Sequence, residues 1–254
     1  RDPISGCPWD IEQDNKSIAH YCIEEAYELQ HAISLNKKDA IKSELGDLLF
    51  QIAFHCHIAE KDYDFTFDDV VQDVCDKMIF RHPHVFDKEK REGRRISTKE
   101  VKDNWEKIKS LEKNNTQDPE RFFEDVPLSL PALAHAKKVQ KKASQLNFDW
   151  TNPLEILSKI NEEVKELWHA CETNKKIDIE EEFGDVLFSI VNLGRKLDVD
   201  PEKSLGVSIK KFKKRISESI KLIKAEKVSD KNLTDKKLHE IWEHAKDLLK
   251  KNDI

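Results

Sequence analysis

Glu162-Glu163-Val164-Lys165-Glu166 and Glu182-Phe183-Gly184-Asp185 decide how this chain is read: an E-E-x-x-E and an E-x-x-D separated by a short polar turn at Thr173-Asn174-Lys175-Lys176. Residues three apart share a helix face, so Glu163 with Glu166, and Glu182 with Asp185, each form a carboxylate pair projecting one way. Glu166 lies seven residues before Thr173 and Glu182 six after Lys176. At about 1.5 Å per residue the two pairs stand at similar heights on antiparallel helices, and four carboxylates converge. Like charges that close cannot all stay ionised without compensation. A hard divalent cation compensates them, and oxygen-only ligands favour Mg²⁺, with Mn²⁺ as the alternative. A lone E-x-x-E is more often a solvated acidic face. Here, however, the stretch Val186-Leu187-Phe188-Ser189-Ile190-Val191-Asn192-Leu193 is apolar nearly all round, which predicts a buried helix.

The motif occurs twice at one offset. Glu24, Glu25, Glu28, Glu44, Gly46 and Asp47 map onto Glu162, Glu163, Glu166, Glu182, Gly184 and Asp185 by adding 138 (163 − 25 = 138). Leu29, Leu49, Phe50 and Ile52 fall on Leu167, Leu187, Phe188 and Ile190. An internal duplication of a helical hairpin is the simplest reading.

A length of 254 residues, 38% of them hydrophobic, accommodates two such copies, each with its own core. Charged residues make up 37% and glycines number six, which favours helices with charged outer faces and predicts an all-α class. The net charge of −6 is modest and gives no argument for a nucleic-acid polymer or a membrane as partner. No apolar run reaches the roughly 18 residues needed to span a bilayer, and Arg1-Asp2-Pro3 lacks a signal-peptide shape. Cys7, Cys22, Cys56, Cys75 and Cys171 are odd in number with no C-x-x-C, so they read as reduced, mostly buried thiols. A cytoplasmic location is expected. The first residue is Arg and the one methionine is Met78, so the natural start is expected upstream.

Periodicity predicts helices over 17–33, 39–59, 67–80, 101–111, 130–143, 207–225 and 234–249. Residues 1–110 read as a first domain with a structural or regulatory role, 111–126 as a linker, and 127–254 as a second, catalytic domain. Lys211, Lys214 and Arg215 flank the apolar stripe of the 207–225 helix. Beside a carboxylate metal site such a run is a candidate phosphate clamp.

The ordered set of motifs resembles the MazG nucleoside triphosphate pyrophosphohydrolases. It comprises Gly6-Cys7-Pro8-Trp9-Asp10, both carboxylate motifs, Arg81-His82-Pro83-His84-Val85-Phe86, Asn104-Trp105-Glu106, Leu130-Pro131-Ala132-Leu133, Phe148-Asp149-Trp150 and the run from Lys211 to Arg215. The resemblance implies tandem four-helix-bundle-type domains in a homodimer, and Mg²⁺-dependent hydrolysis of standard or damaged NTPs and dNTPs to NMP and pyrophosphate. It implies Glu163, Glu166, Glu182 and Asp185 as catalytic metal ligands, and Lys109, Lys159, Lys211, Lys214, Arg215 and Trp242 as substrate contacts. Asn147 departs from the pattern, since glycine usually precedes Phe-Asp-Trp, as does a turn shortened near Thr173.

Two other classes compete. Glu28-Leu29-Gln30-His31 and Glu166-Leu167-Trp168-His169 are E-x-x-H sequences of the kind found in carboxylate-bridged di-iron bundles, though one per domain falls short of the two such a bundle needs. A non-catalytic helical interaction module is the third reading. Neither the preferred base, nor the phosphorus attacked, nor whether Glu25, Glu28, Glu44 and Asp47 bind metal is written in the sequence.

Overall fold

The computed structural model describes residues 1–87, 97–112, 122–225 and 234–252. The chain divides into two compact units, Arg1–Asn115 and Thr116–Ile254. All regular structure among the described residues is helical.

In the first unit the helices are α1 (Pro8–Glu12), α2 (Ala19–Ser34), α3 (Lys38–Asp62), α4 (Phe67–Arg81), α5 (Pro83–Phe86) and α6 (Thr98–Glu112). The α2/α3 hairpin is the main packing pair; α4 leans on α3, and α6 on α4. Thr66 starts α4 with a reciprocal capping box: its hydroxyl accepts from the Asp69 amide while the Asp69 carboxylate accepts from the Thr66 amide, satisfying two otherwise orphaned donors. Ile18, Phe54 and Ile58 form the core, with Tyr21 packed against them.

In the second unit the helices are α7 (Ala132–Ser144), α8 (Pro153–Thr173), α9 (Lys176–Lys196), α10 (Pro201–Ala225) and α11 (Asp235–Asn252). The hairpin is α8/α9; α7 packs on α9, and α10 packs chiefly on α11. Helix α10 begins six residues before the Val207 that its apolar stripe predicts. Pro201 can occupy the first turn without losing a helical bond, and the Asp200 carboxylate accepts from the Lys203 amide at 3.0 Å.

The duplication runs deeper than the acids. Ile18 and Ile156 are both fully buried, as are Ala32 and Ala170, each pair 138 apart. Asn36 (φ 51°) and Asn174 (φ 54°) both sit in the left-handed region and close the two hairpins alike, as Asn tolerates. Beyond the hairpins the offset falls to 134: α3 has 25 residues and α9 has 21, and the left-handed Asp64 and Asp198 follow them (198 − 64 = 134). One extra helical turn therefore lengthens the first copy. Asn147, at φ 61°, also occupies the left-handed region, which explains how asparagine replaces the glycine that the family pattern prefers there.

Two expectations are corrected. The apolar helices are not buried all round: Leu49, Phe50 and Ile52 on α3 and Leu187, Phe188 and Ile190 on α9 are exposed, whereas Gln51, Phe54 and Val191 are buried. A two-helix hairpin covers one side of such a helix and leaves the other open. The cysteines are also not mostly buried. Only Cys56 is; Cys22 is half-buried and Cys7, Cys75 and Cys171 are exposed, all as free thiols.

Candidate metal and phosphate site

Helices α8 and α9 bring Glu163, Glu182 and Asp185 together, with one carboxylate oxygen of each within 4.8 Å of the others. Glu163 is buried to 6% exposure. Glu166 stands outside that set but acts on it. Burial pushes the Glu182 carboxyl above its ordinary range, and the charges of Glu166, Glu163, Asp185 and Glu181 push it further. Three carboxylates whose mutual repulsion raises one of them, one of the three being buried, make an oxygen-only donor set. That set fits a small, hard divalent cation that keeps water in its remaining positions.

The first unit repeats the arrangement with a different third member. Glu25, Glu28 and Glu44 gather within the same distance. Burial and then the charge of Asp47 raise Glu25, with Glu28, Glu44 and Glu24 adding to it. Burial likewise raises Glu44, with Glu28 and Asp47 adding to it. In neither unit does the acidic set include a histidine. His169 lies exposed beside Glu172 at 3.8 Å and His31 is exposed, so the E-x-x-H sequences do not build a di-iron site here.

Of the cationic candidates whose side chains are described, only Lys159 meets the carboxylates directly. Its ammonium is 2.7 Å from Glu162 Oε1 and 2.8 Å from Glu163 Oε1. Hydrogen bonds to Glu162 and then Glu163 hold it above the ordinary lysine range. Glu162, which points away from the acidic set along the helix, thus serves as the second anchor of Lys159. Arg215 stacks on Trp242, its guanidinium 5.7 Å from the ring centroid, and Phe212 packs against the same ring at 5.6 Å. Lys211 and Lys214 are exposed on α10. That helix meets α9 only lightly, and the structure does not gather these two onto the acids. Lys109 lies in α6 of the first unit, and its side chain is outside the described residues.

The basic stretch opening the second domain is largely occupied. Lys137 pairs with Asp200 at 3.0 Å, and Lys142 pairs with Asp125 and packs over Phe122. These lysines clamp α7 to its surroundings. A further candidate went unread in the sequence: Trp105-Glu106-x-x-Lys109 recurs as Trp242-Glu243-x-x-Lys246. Lys246 is therefore the second-unit counterpart of Lys109, and it donates to both Glu243 oxygens at 2.8 and 2.9 Å. Arg81 lies 5.2 Å from the Trp105 ring as Arg215 lies over Trp242, so the stacked pair is also duplicated.

An all-α unit brings carboxylates from two antiparallel helices to one point, with a lysine on the buried acid and an arginine held on a tryptophan, an arrangement that could hold a divalent cation. The family model of the MazG nucleotide pyrophosphohydrolase domain matches residues 13–86 and again residues 151–219, one copy in each unit. The chain belongs to that family. It is 43% identical over 241 residues to the Thermotoga maritima protein named nucleoside triphosphate pyrophosphohydrolase/pyrophosphatase MazG, covering 95% of this chain and 89% of that protein. It is 36% identical over 248 residues to the Escherichia coli K12 protein named nucleoside triphosphate pyrophosphohydrolase, covering 97% and 92%. Bacillus subtilis YabN, an uncharacterized protein, is 37% identical over 96% of this chain but only 49% of its own length.

Proposed function

We infer that this chain hydrolyses nucleoside triphosphates and deoxynucleoside triphosphates to the monophosphate and pyrophosphate, with Mg²⁺ (or Mn²⁺) held by Glu163, Glu166, Glu182 and Asp185. The observation that carries this is the convergence of Glu163, Glu182 and Asp185 in a chain whose full-length relatives are named for that activity. When bound, the cation supplies Lewis acidity and charge neutralisation at the triphosphate.

The chain's own residues do the rest. Glu163, packed at low exposure between Lys159 and the α9 acids, fixes the position that the other carboxylates share. Lys159, already fully protonated, turns from Glu163 to the phosphates once a cation neutralises that acid. Lys211, Lys214 and Arg215 neutralise phosphoryl oxygens that the cation does not reach, and charge on the departing pyrophosphate. Trp242 holds the Arg215 guanidinium in place. No serine or cysteine nucleophile is called for, because water attacks.

Residues 127–254 form the catalytic domain in this reading, 111–126 connect, and 1–110 support or regulate. The partner is a second copy of the chain. The exposed faces of α3 and α9 are what a helical bundle buries when two hairpins pair. A cytoplasmic setting accords with a nucleotide substrate, and no described helix is long and apolar enough to cross a membrane. The test is pyrophosphate release from a panel of standard and modified NTPs and dNTPs with and without Mg²⁺. Release that requires the cation is expected, and no release from any member would overturn the reading.

A further inference from the structure

The first unit holds a cavity of about 240 Å³ lined by Trp9, Tyr21, Phe50 and Phe54 together with Glu25 and Gln51. Gln51 is buried to 8% exposure, and its side-chain oxygen has no hydrogen-bond partner. A buried amide oxygen with no donor to accept from costs free energy. Sites that retain such a group commonly use it for a ligand. Here it borders an aromatic-walled space whose remaining polar wall, Glu25, also belongs to the Glu25/Glu28/Glu44 set. One residue thus joins an apolar slot to a cation-ready carboxylate cluster.

The duplication says what kind of ligand suits this slot. Tyr21 stands where the second unit has Lys159 (159 − 21 = 138), and Phe80 stands where it has Lys214 (214 − 80 = 134). Two candidate phosphate cations have become aromatic, while the carboxylates and the arginine on tryptophan persist as Arg81 over Trp105. Fewer positive charges favour fewer phosphates, because uncompensated negative charge beside acidic ligands is repelled. Aromatic walls and an unpartnered hydrogen-bond acceptor favour a planar ring bearing an amino or ring N–H group.

We propose that the first unit is a binding site for a nucleoside monophosphate. Its base lies in the cavity between Trp9, Tyr21, Phe50 and Phe54 with an N–H donated to Gln51, and its phosphate lies on a divalent cation held by Glu25, Glu28 and Glu44. This rests on reading Lys159 and Lys214 as phosphate contacts in the second unit. The site binds without hydrolysing, so it senses the product class that the catalytic unit generates.

The test uses the full chain carrying Glu182→Gln and Asp185→Asn, which disables the second acidic set. Equilibrium dialysis with AMP, GMP, CMP and UMP in the presence of Mn²⁺ should show one saturable equivalent per chain for at least one of them, and no binding without the cation. Gln51→Leu should weaken it at least tenfold while holding or raising the melting temperature, since it removes an unmet acceptor; a merely structural glutamine would lower it. Trp9→Ala, at a half-exposed position, should weaken it as well. Absence of binding, binding that both variants leave unchanged, or tighter binding of the triphosphate than of the monophosphate overturns the proposal. Pyrophosphate release by the unsubstituted chain is a separate readout, so failure of the catalytic reading is seen independently.

Discussion

Lys159 donates to Glu163 across 2.8 Å, so the most buried carboxylate of the second acidic set is neutralised by a residue one helical turn before it on α8. That lysine competes with any cation for the same acid. We expect Lys159→Ala to bind Mn²⁺ several-fold more tightly in the absence of nucleotide, while raising KM for triphosphate about tenfold, the scale of a lost charge-assisted contact. Isothermal titration with Mn²⁺ and steady-state pyrophosphate release measure the two. Cation affinity lowered by the substitution would show that Lys159 organises the acids and does not compete for them.

Glu166→Gln and Asp185→Asn remove one negative charge each at nearly constant volume. Turnover should drop more than about 100-fold in either, as when a key electrostatic stabiliser is lost, with helical circular dichroism unchanged. Intact fold with intact activity would remove these residues from the metal assignment.

Glu28→Gln combined with Asp47→Asn should leave most of the specific activity and reduce stability or assembly, because Tyr21 and Phe80 stand where the second unit has the proposed phosphate contacts Lys159 and Lys214. Residues 126–254 alone should retain some turnover. Activity lost in a double variant that is as stable and as dimeric as the parent would make the first acidic set catalytic.

Asp149 accepts from Lys196 at 2.8 Å and from both Nη atoms of Arg195, which is braced in turn by Asn192. Burial pushes the Asp149 carboxyl up, but the hydrogen bonds from Arg195 and Lys196 outweigh it and hold it below the ordinary aspartate range. A depressed folded-state pKa means that the stabilisation is fully present above the unfolded pKa, near 3.9, and is lost as pH falls through the lower folded value. Asp149→Asn should cost about 2–3 kcal/mol at pH 7, since it strands two partly buried cations. That difference should shrink below pH 4. Urea melts of the two proteins at pH 7 and pH 3.5 check both statements; an equal difference at the two pH values would rule out the ion pair as the cause.

Much of the architecture could be read directly. Spacing predicts four carboxylates on one spot and Thr173 to Lys176 as the turn between their helices; Glu163, Glu182 and Asp185 do meet, and Glu166 stands outside them. Asn36-Lys37-Lys38 and Asn174-Lys175-Lys176 carried the paired left-handed caps in plain view. The cavity was not legible in the same way. That Gln51 turns inward and Tyr21 leans on Phe54 depends on which side of α3 its own hairpin covers, and an all-round apolar run does not encode that choice. The repeated Trp-Glu-x-x-Lys pairs Lys109 with Lys246. The linear pattern held that correspondence, but a changing offset concealed it.

The extra turn in α3 acts as a spacer. It lies after the acids, so α4 starts about 6 Å further along the hairpin axis in the first copy than α10 does in the second. Lys77 and Arg81, the counterparts of Lys211 and Arg215, lie on the helix that follows it. Four inserted residues, placed after the acids, are enough to make two otherwise equal halves unequal in reach.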